Sequence, residues 1–336
     1  MPFFNKPAKL IDKHQRLITN SIKSPMNNNI YICGHRSPDL DSIASAIAYA
    51  DLKNRLDSDN HYQPMAAGPI NQETAWTLEH FGFPQPASWP NDLSPDQALI
   101  LVDHNEVEQM PFGYVNCNII GIIDHHKINF HSNEPIEIIM KPLGSTCSII
   151  YELFQNNNLE ISPNLSGLML SAILTDTLIT KSPTCTTTDR SIIEKLATAA
   201  NIKNWSEFGL NLFEQKGTTE QLTVEQILSG DRKDFQFGDK KISVAQLETT
   251  DLENFKKQGQ NLKKALAELR KNNDYHTTIL LITDIIKVGS WLLVDSAEPQ
   301  LIEQALETKL PDGENYRPGL VSRKKQVVPP LNKIFN

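Results

Sequence analysis

Short continuous apolar runs, each closing on a cluster of polar residues, set the rhythm of the first half of the chain. Residues 29–33 run apolar into Gly34, 98–102 into Asp103, and 119–123 into Asp124-His125-His126. Continuous rather than alternating apolar character is what strands of a parallel sheet covered on both faces require. After the first run, Asp41-Ser42 is placed to cap a helix that carries Ile43, Ala46, Ile47 and Ala50 on one side. The segment 165–174 predicts another helix, 181–188 is a Ser-, Pro- and Thr-rich loop, and 189–200 resumes helical spacing. The pattern predicts an α/β, doubly wound, mainly parallel sheet domain over 29–215.

Near Gly217 the periodicity breaks, and 216–220 is expected to be a linker. Beyond it, 240–247 alternates like a strand, 252–271 predicts one long charged amphipathic helix, and 278–283 and 290–294 predict two more strands. This makes 221–336 a second, smaller α+β domain. Residues 1–28 scatter Lys6, Lys9, Lys13, Arg16 and Lys23 among isolated apolar residues and lack the apolar core of a secretory signal, so they are expected to form an N-terminal extension.

Charge narrows the partners. Thirty-two Lys and Arg against forty Asp and Glu give a net charge of -8, which leaves no overall footprint for nucleic acid or an anionic membrane. No apolar run reaches the roughly 20 residues that span a bilayer. Cys33, Cys117, Cys147 and Cys185 are widely spaced with no CxxC pair, which fits reduced thiols in a cytoplasmic protein.

The chemistry lies in four clusters: Gly34-His35-Arg36-Ser37-Pro38-Asp39-Leu40-Asp41-Ser42, Asp103-His104-Asn105-Glu106, Asp124-His125-His126 and Thr175-Asp176-Thr177. Taken singly, each has a bland reading: a helix cap, a turn, a structural histidine. Together they place carboxylates and imidazoles at the carboxyl edge of one sheet, where such sheets bind ligands and where bare carboxylates repel one another unless cations neutralise them. Mixed carboxylate and imidazole donors suit Mn²⁺, Co²⁺ or Zn²⁺ better than Ca²⁺. Two such ions about 3.5 to 4 Å apart can lower the pKa of a shared water and clamp a phosphoryl group. A basic cluster, Ser322-Arg323-Lys324-Lys325-Gln326, is the best candidate to hold the anion.

These motifs resemble the DHH phosphoesterase superfamily, and within it the manganese-dependent, family II inorganic pyrophosphatases. Asp124-His125-His126, Pro38-Asp39-Leu40-Asp41-Ser42, the VDHNE of 102–106 and Asp176 carry the superfamily; Lys181-Ser182-Pro183-Thr184, Asp231-Arg232-Lys233-Asp234-Phe235 and the SRKKQVVP of 322–329 indicate the subgroup. The resemblance implies hydrolysis of inorganic pyrophosphate to two orthophosphates, by a hydroxide bridging two divalent metals, with substrate between a DHH domain and a DHHA2-like domain. It implies one metal on His35, Asp39 and Asp103 and a second on Asp41, Asp103, His125 and Asp176, with Asp103 bridging. It also implies that His126, Lys233, Arg323 and Lys324 meet the phosphoryl groups. Two Mn²⁺ per subunit, replaceable by Co²⁺, Mg²⁺ accompanying the substrate, and a homodimer formed through the first domain are the remaining implications.

The first motif departs from the family pattern at Arg36 and Ser37, where Asn commonly precedes Pro, and at Leu40, where Thr is usual; every implied ligand is retained. The alternatives left open are a DHH-type phosphoesterase acting on short polyphosphate or small nucleotides, and a metal or nucleotide sensor without turnover. The absence of any Gly-Gly pair, and so of the GGGH-like motif of nucleotide-cleaving relatives, weighs against a nucleotide substrate.

Overall fold

The computed structural model describes residues 29–94, 96–215 and 222–336; the expected extension 1–28 and the linker 216–220 lie outside them. The first sheet comprises β1 (Asn29–Cys33), β2 (His61–Ala66), β3 (Ala87–Ser88), β4 (Gln97–Val102), β5 (Cys117–Asp124) and β6 (Glu137–Met140). All pairings are parallel and the spatial order is β3-β2-β1-β4-β5-β6. The chain therefore reverses direction across the sheet between β1 and β4, a topological switch point where a crevice opens beyond the strand ends.

Helices α1 (Leu40–Leu56), α2 (Gln72–His80), α3 (Thr146–Asn156), α4 (Pro163–Asp176), α5 (Thr187–Ala199) and α6 (Trp205–Glu214) contribute to one large apolar cluster against this sheet. The opposite face, built on Cys33, Met65, Leu99, Leu101 and Ile122, is covered by Met110, Trp89, Tyr114 and Phe130 from turns and loops. α1 is buried almost all round, and its run of small residues, Ala44, Ser45, Ala46, Ala48 and Ala50, lets α3 and α4 approach closely.

The start of α1 differs from the sequence expectation. Asp39, not Asp41-Ser42, is the N-cap: its backbone is extended and its Oδ1 accepts the Ser42 N–H at 3.0 Å. Asp41 is thereby carried into the first turn, where it is fully buried and free for another use. Leu40, the departure from the family pattern, points into the core at 1% exposure, whereas Arg36 and Ser37 face solvent. Gly34 is required by contact: a Cβ there would lie 1.8 Å from Ser42 Oγ.

The second sheet is mixed. β7 (Arg232–Phe237), β8 (Lys240–Thr249), β9 (Thr277–Asp284), β10 (Gly289–Ser296) and β11 (Glu314–Pro318) lie in the order β11-β10-β9-β8-β7, with only β8 and β9 parallel. α7 (Val224–Ser229), α8 (Leu252–Lys256) and α9 (Gly259–Asn272) cover one face; α10 (Pro299–Ala305) and α11 (Val328–Phe335) cover the other. The single helix expected over 252–271 is two helices, because the backbone leaves helical geometry at Gln258 and Gly259 packs under Trp291, where a Cβ would sit 3.1 Å from the ring. The apolar spacing runs on through the break, so periodicity alone conceals it.

The two units touch. Ile285 and Val321 of the second join the large apolar cluster of the first, and Lys181 Nζ donates to the Ile285 carbonyl at 2.7 Å.

Candidate metal centre and its basic wall

The four acidic and histidine clusters meet at the switch point. His35 follows β1 and Asp103 follows β4, so the two neighbouring strands that flank the crevice deliver them to each other: His35 Nε2 lies 3.4 Å from Asp103 Oδ2 and 3.6 Å from Asp39 Oδ2. The other oxygen, Asp103 Oδ1, faces His125 Nε2 at 3.5 Å, and His125 Nε2 is 3.7 Å from Asp176 Oδ2 at the end of α4. Donor atoms fall into overlapping groups, each within 4.8 Å: His35, Asp39 and Asp103; Asp41, Asp103, His125 and Asp176; and Asp103, His125 and His126. One carboxylate thus offers a separate oxygen to each of two adjoining sites.

Local backbone geometry serves these donors. Asp103 has φ 61°, a left-handed conformation that Asp tolerates better than most residues, and its N–H is held by the Ile123 carbonyl at 3.0 Å. Past Asp176, Leu178, Ile179 and Thr180 have φ 49°, 53° and 64°, one left-handed turn that costs about 1–2 kcal/mol per residue. It is held by Ile179 N–H to Leu174 O at 2.7 Å, Ser182 N–H to Thr177 O at 2.8 Å, and Arg190 Nη2 to Thr180 O at 2.7 Å. The imidazoles are oriented in the same way: His125 Nδ1–H donates to the Leu143 carbonyl at 3.0 Å, which turns Nε2 toward the carboxylates. His126 Nδ1–H and backbone N–H both donate to Asp124 Oδ1, at 2.8 and 3.0 Å, and Asn105 Nδ2 donates to Asp124 Oδ2 at 2.6 Å.

Electrostatics identify the group that fits. Burial, then repulsion from Asp41 and Asp39, pushes the Asp103 carboxyl well above its ordinary range; burial with Asp41, Asp39 and Asp103 does the same to Asp176. Burial alone would lower His35, yet Asp39 and Asp103 outweigh it and raise its pKa to about 10. The site therefore attracts positive charge strongly. Burial, the neighbouring His126 and Lys324 lower His125 to about 3, and burial lowers His126 to about 4 against the pull of Asp124. Mutually repelling carboxylates, the neutral imidazoles of His125 and His126, and a His35 whose proton a cation can replace are a donor set that divalent transition ions satisfy, and the residues present fit manganese.

Arg323 and Lys324 enter from the second domain on a short π-helical turn, Arg323–Val327. Ser322 Oγ accepts the Lys325 N–H at 3.3 Å, and Gln326 staples the turn, accepting from Val321 and Ser322 and donating to the Gly319 carbonyl. The Arg323 guanidinium is anchored inside its own domain, donating to Asp231 Oδ1 at 2.8 Å and to the Asp231 and Val244 carbonyls at 2.7 and 3.1 Å. Three of its five N–H groups are thereby used. Lys324 and Lys233 lie close enough to His126 to disfavour its protonation.

Not every flagged residue joins the donor groups. His104 Nδ1–H donates to the Val102 carbonyl at 2.9 Å, and its ring stands edge-on to His35 at 6.3 Å. Conversely, the sequence reading assigned no part to Ser145 and Thr146, whose donors reach Asp41 and Asp103, or to Gln246, which accepts the Arg323 N–H at 3.0 Å. A Ser before a helical run signals a cap, but nothing local shows which carboxylate from another helix will lie over it.

Residues 29–173 match the model of the DHH family, N-terminal domain, and residues 210–334 match the DHHA2 domain. The chain is 40% identical over 316 residues to a manganese-dependent inorganic pyrophosphatase of Methanothrix thermoacetophila, covering 92% of this chain and 99% of that protein. It is 38% identical over 303 residues to that of Bacillus subtilis, covering 90% and 97%. A crystal structure of a putative family II inorganic pyrophosphatase of Methanococcus jannaschii superimposes with a TM-score of 0.80 at 38% identity over 91% of this chain and 99% of that one. An exopolyphosphatase-related protein of Bacteroides fragilis shares the fold at a TM-score of 0.50 and 14% identity.

Proposed function

Since the chain belongs to the manganese-dependent, family II inorganic pyrophosphatases, built from a DHH and a DHHA2 domain, we propose that it hydrolyses inorganic pyrophosphate to two orthophosphates in the cleft between those domains. The observation that carries the reading is Asp103, whose two oxygens face His35 and His125 across adjoining donor groups. His35, Asp39 and Asp103 would hold one Mn²⁺, and Asp41, Asp103, His125 and Asp176 the other, with Co²⁺ able to substitute and Mg²⁺ arriving with the substrate. Such a pair, when bound, supplies an acidified water and neutralises charge developing at phosphorus.

The chain's own groups do the rest. Asp124 holds the proton on His126 Nδ1, so that Nε2 is the ring nitrogen left to meet substrate. Lys324 and Lys233 bring point charges to the phosphoryl oxygens, while Arg323, anchored by Asp231, offers its two remaining N–H groups as a directed contact. Closure of the domains, supported by the Lys181 to Ile285 hydrogen bond and the shared apolar contacts, would exclude bulk water and align substrate for in-line attack. The relatives at 38–40% identity over nearly the whole chain favour pyrophosphate over longer polyphosphates or nucleotides.

A homodimer through the first domain is supported by the edge strand β6 with Ile138 exposed and by the exposed Phe112 and Val115; sedimentation tests it. A cytoplasmic location accords with four unpaired cysteines and with no helix among the described residues long and apolar enough to cross a membrane. The deciding experiment strips the protein of metal, reloads it with Mn²⁺ and measures phosphate release from pyrophosphate, tripolyphosphate, a dinucleotide and a mononucleotide. Fast metal-dependent release from pyrophosphate is expected. Preference for a nucleotide would overturn the assignment of the basic wall, and silence on every substrate would favour a sensor.

A further inference from the structure

We propose that Thr146 is a positioning residue that ties the ligands of the two metal sites to one another, so that ordering one site orders the other. The inference deepens the metal-centre reading above and rests on it. Thr146 is fully buried at the start of α3 and spends its two donors on two different carboxylates. Its backbone N–H donates to Asp41 Oδ2 at 2.7 Å, and its Oγ1–H donates to Asp103 Oδ1 at 3.1 Å, the oxygen that faces His125.

The surroundings make this arrangement stiff. Asp41 Oδ1 accepts Ser145 Oγ–H at 2.6 Å, Cys147 N–H at 3.1 Å and Ser45 Oγ–H at 3.3 Å. The amino end of α3 thus closes on a carboxylate from α1, where both the unpaired N–H groups and the helix dipole favour negative charge. Ser145 already caps α3 in the ordinary way, accepting the Cys147 N–H at 3.1 Å, so the contacts to Asp41 are additional to helix termination. A β-branched side chain has few χ1 choices, and the N–H and hydroxyl of Thr146 therefore stand in a nearly fixed relation. Moving Asp103 moves the hydroxyl, and with it the start of α3 and Asp41. Asp41 belongs to the group with His125 and Asp176, while Asp103 belongs to both groups. A cation that orders Asp103 in the His35 site would through Thr146 prepare the second site.

Thr146→Val removes the hydroxyl while keeping shape, β-branching and the backbone N–H. Mn²⁺ binding to the metal-free full-length protein is measured by calorimetry and by the exchange-coupled EPR signal that arises only when neighbouring sites are both filled. Wild type is expected to take up two ions per chain. Thr146→Val is expected to bind the second ion about 10–100-fold more weakly, with the coupled signal lost at stoichiometric Mn²⁺, and the first within about threefold. Thr146→Ser, which restores the hydroxyl without the β-branch, should recover most of both. Urea unfolding of the metal-free variants serves as the control for a purely structural role: Thr146→Val loses a buried hydrogen bond and should unfold at a somewhat lower urea midpoint, while all three proteins should remain fully folded under the binding conditions. Two-ion binding by Thr146→Val indistinguishable from wild type would overturn the inference, as would Thr146→Ser behaving like Thr146→Val. Failure of wild type to bind a pair of ions would instead overturn the metal-centre reading itself.

Discussion

Replacing Asp124 by Asn changes one oxygen for one nitrogen in a side chain that is fully buried and hydrogen-bonded at both ends. Oδ1 receives two donors from His126, and Oδ2 receives Asn105 Nδ2. An amide cannot accept at both positions. If its oxygen faces His126, its NH₂ faces the Asn105 NH₂; flipping Asn105 does not help, because that Nδ2 also donates to Lys127 O at 3.0 Å and its Oδ1 accepts the Asn129 N–H. If its NH₂ faces His126, it meets two donors. At least one buried donor is left unpaired either way, and the first orientation, which loses fewest, costs about 1–3 kcal/mol; the loss of charge assistance in the surviving bonds adds about 1 kcal/mol. The expected destabilisation is about 2–4 kcal/mol. Burial would raise the Asp124 carboxyl, but the bonds from His126 and Asn105 hold it well below the usual range, so wild type keeps the carboxylate throughout the neutral region. Urea unfolding followed by tryptophan fluorescence reports mainly on the first domain, which holds Trp76, Trp89 and Trp205. Pyrophosphate hydrolysis by the same variant should fall about 10–100-fold in kcat/KM as His126 loses its anchor. A stability change under about 0.5 kcal/mol together with activity within twofold of wild type would refute the argument.

Asp103→Asn should abolish both pyrophosphate hydrolysis and the coupled Mn²⁺ signal, since it weakens both donor groups at once; retained turnover would contradict a bridging role. Arg323→Ala should raise KM and also loosen its domain, because the guanidinium is fixed to Asp231 and Val244; steady-state kinetics beside thermal unfolding will show whether both move. Thr180→Gly should stabilise the protein by about 0.5–1 kcal/mol, because glycine adopts φ 64° without the penalty a β-branched residue carries, offset in part by a more flexible unfolded chain; denaturation that is unchanged or eased would count against strain at this turn. Asp57 titrates at about 2 because Asn60, Tyr62 and the Asp59 N–H hydrogen-bond to it. Its depressed pKa contributes stability that is present above about pH 4, the ordinary carboxylate range, and is lost as pH falls toward 2. Asp57→Asn should flatten that part of the acid-unfolding profile.

Sequence by itself determined the α/β plan and the residue types of the centre. Apolar runs that end in Asp and His can be read one segment at a time, and a parallel sheet necessarily gathers its strand ends at one edge. The SRKKQ string was likewise legible as an anion-binding candidate because its charge is contiguous. What the tertiary structure decided was pairing across distance. β1 and β4 became neighbours through strand order, which set His35 against Asp103, and no local pattern encodes that adjacency. Asp39 took the cap and released Asp41 because the first turn of α1 is pressed against the start of α3, a contact between residues more than a hundred positions apart. The break at Gln258 depended on the ring of Trp291 lying over Gly259. The Arg323 guanidinium is fixed rather than a mobile charge because Asp231 and the Val244 carbonyl hold it. Hydrophobic period and residue chemistry are properties of a segment, whereas which carboxylate shares which donor is settled when packing brings distant segments within about 3 Å of each other.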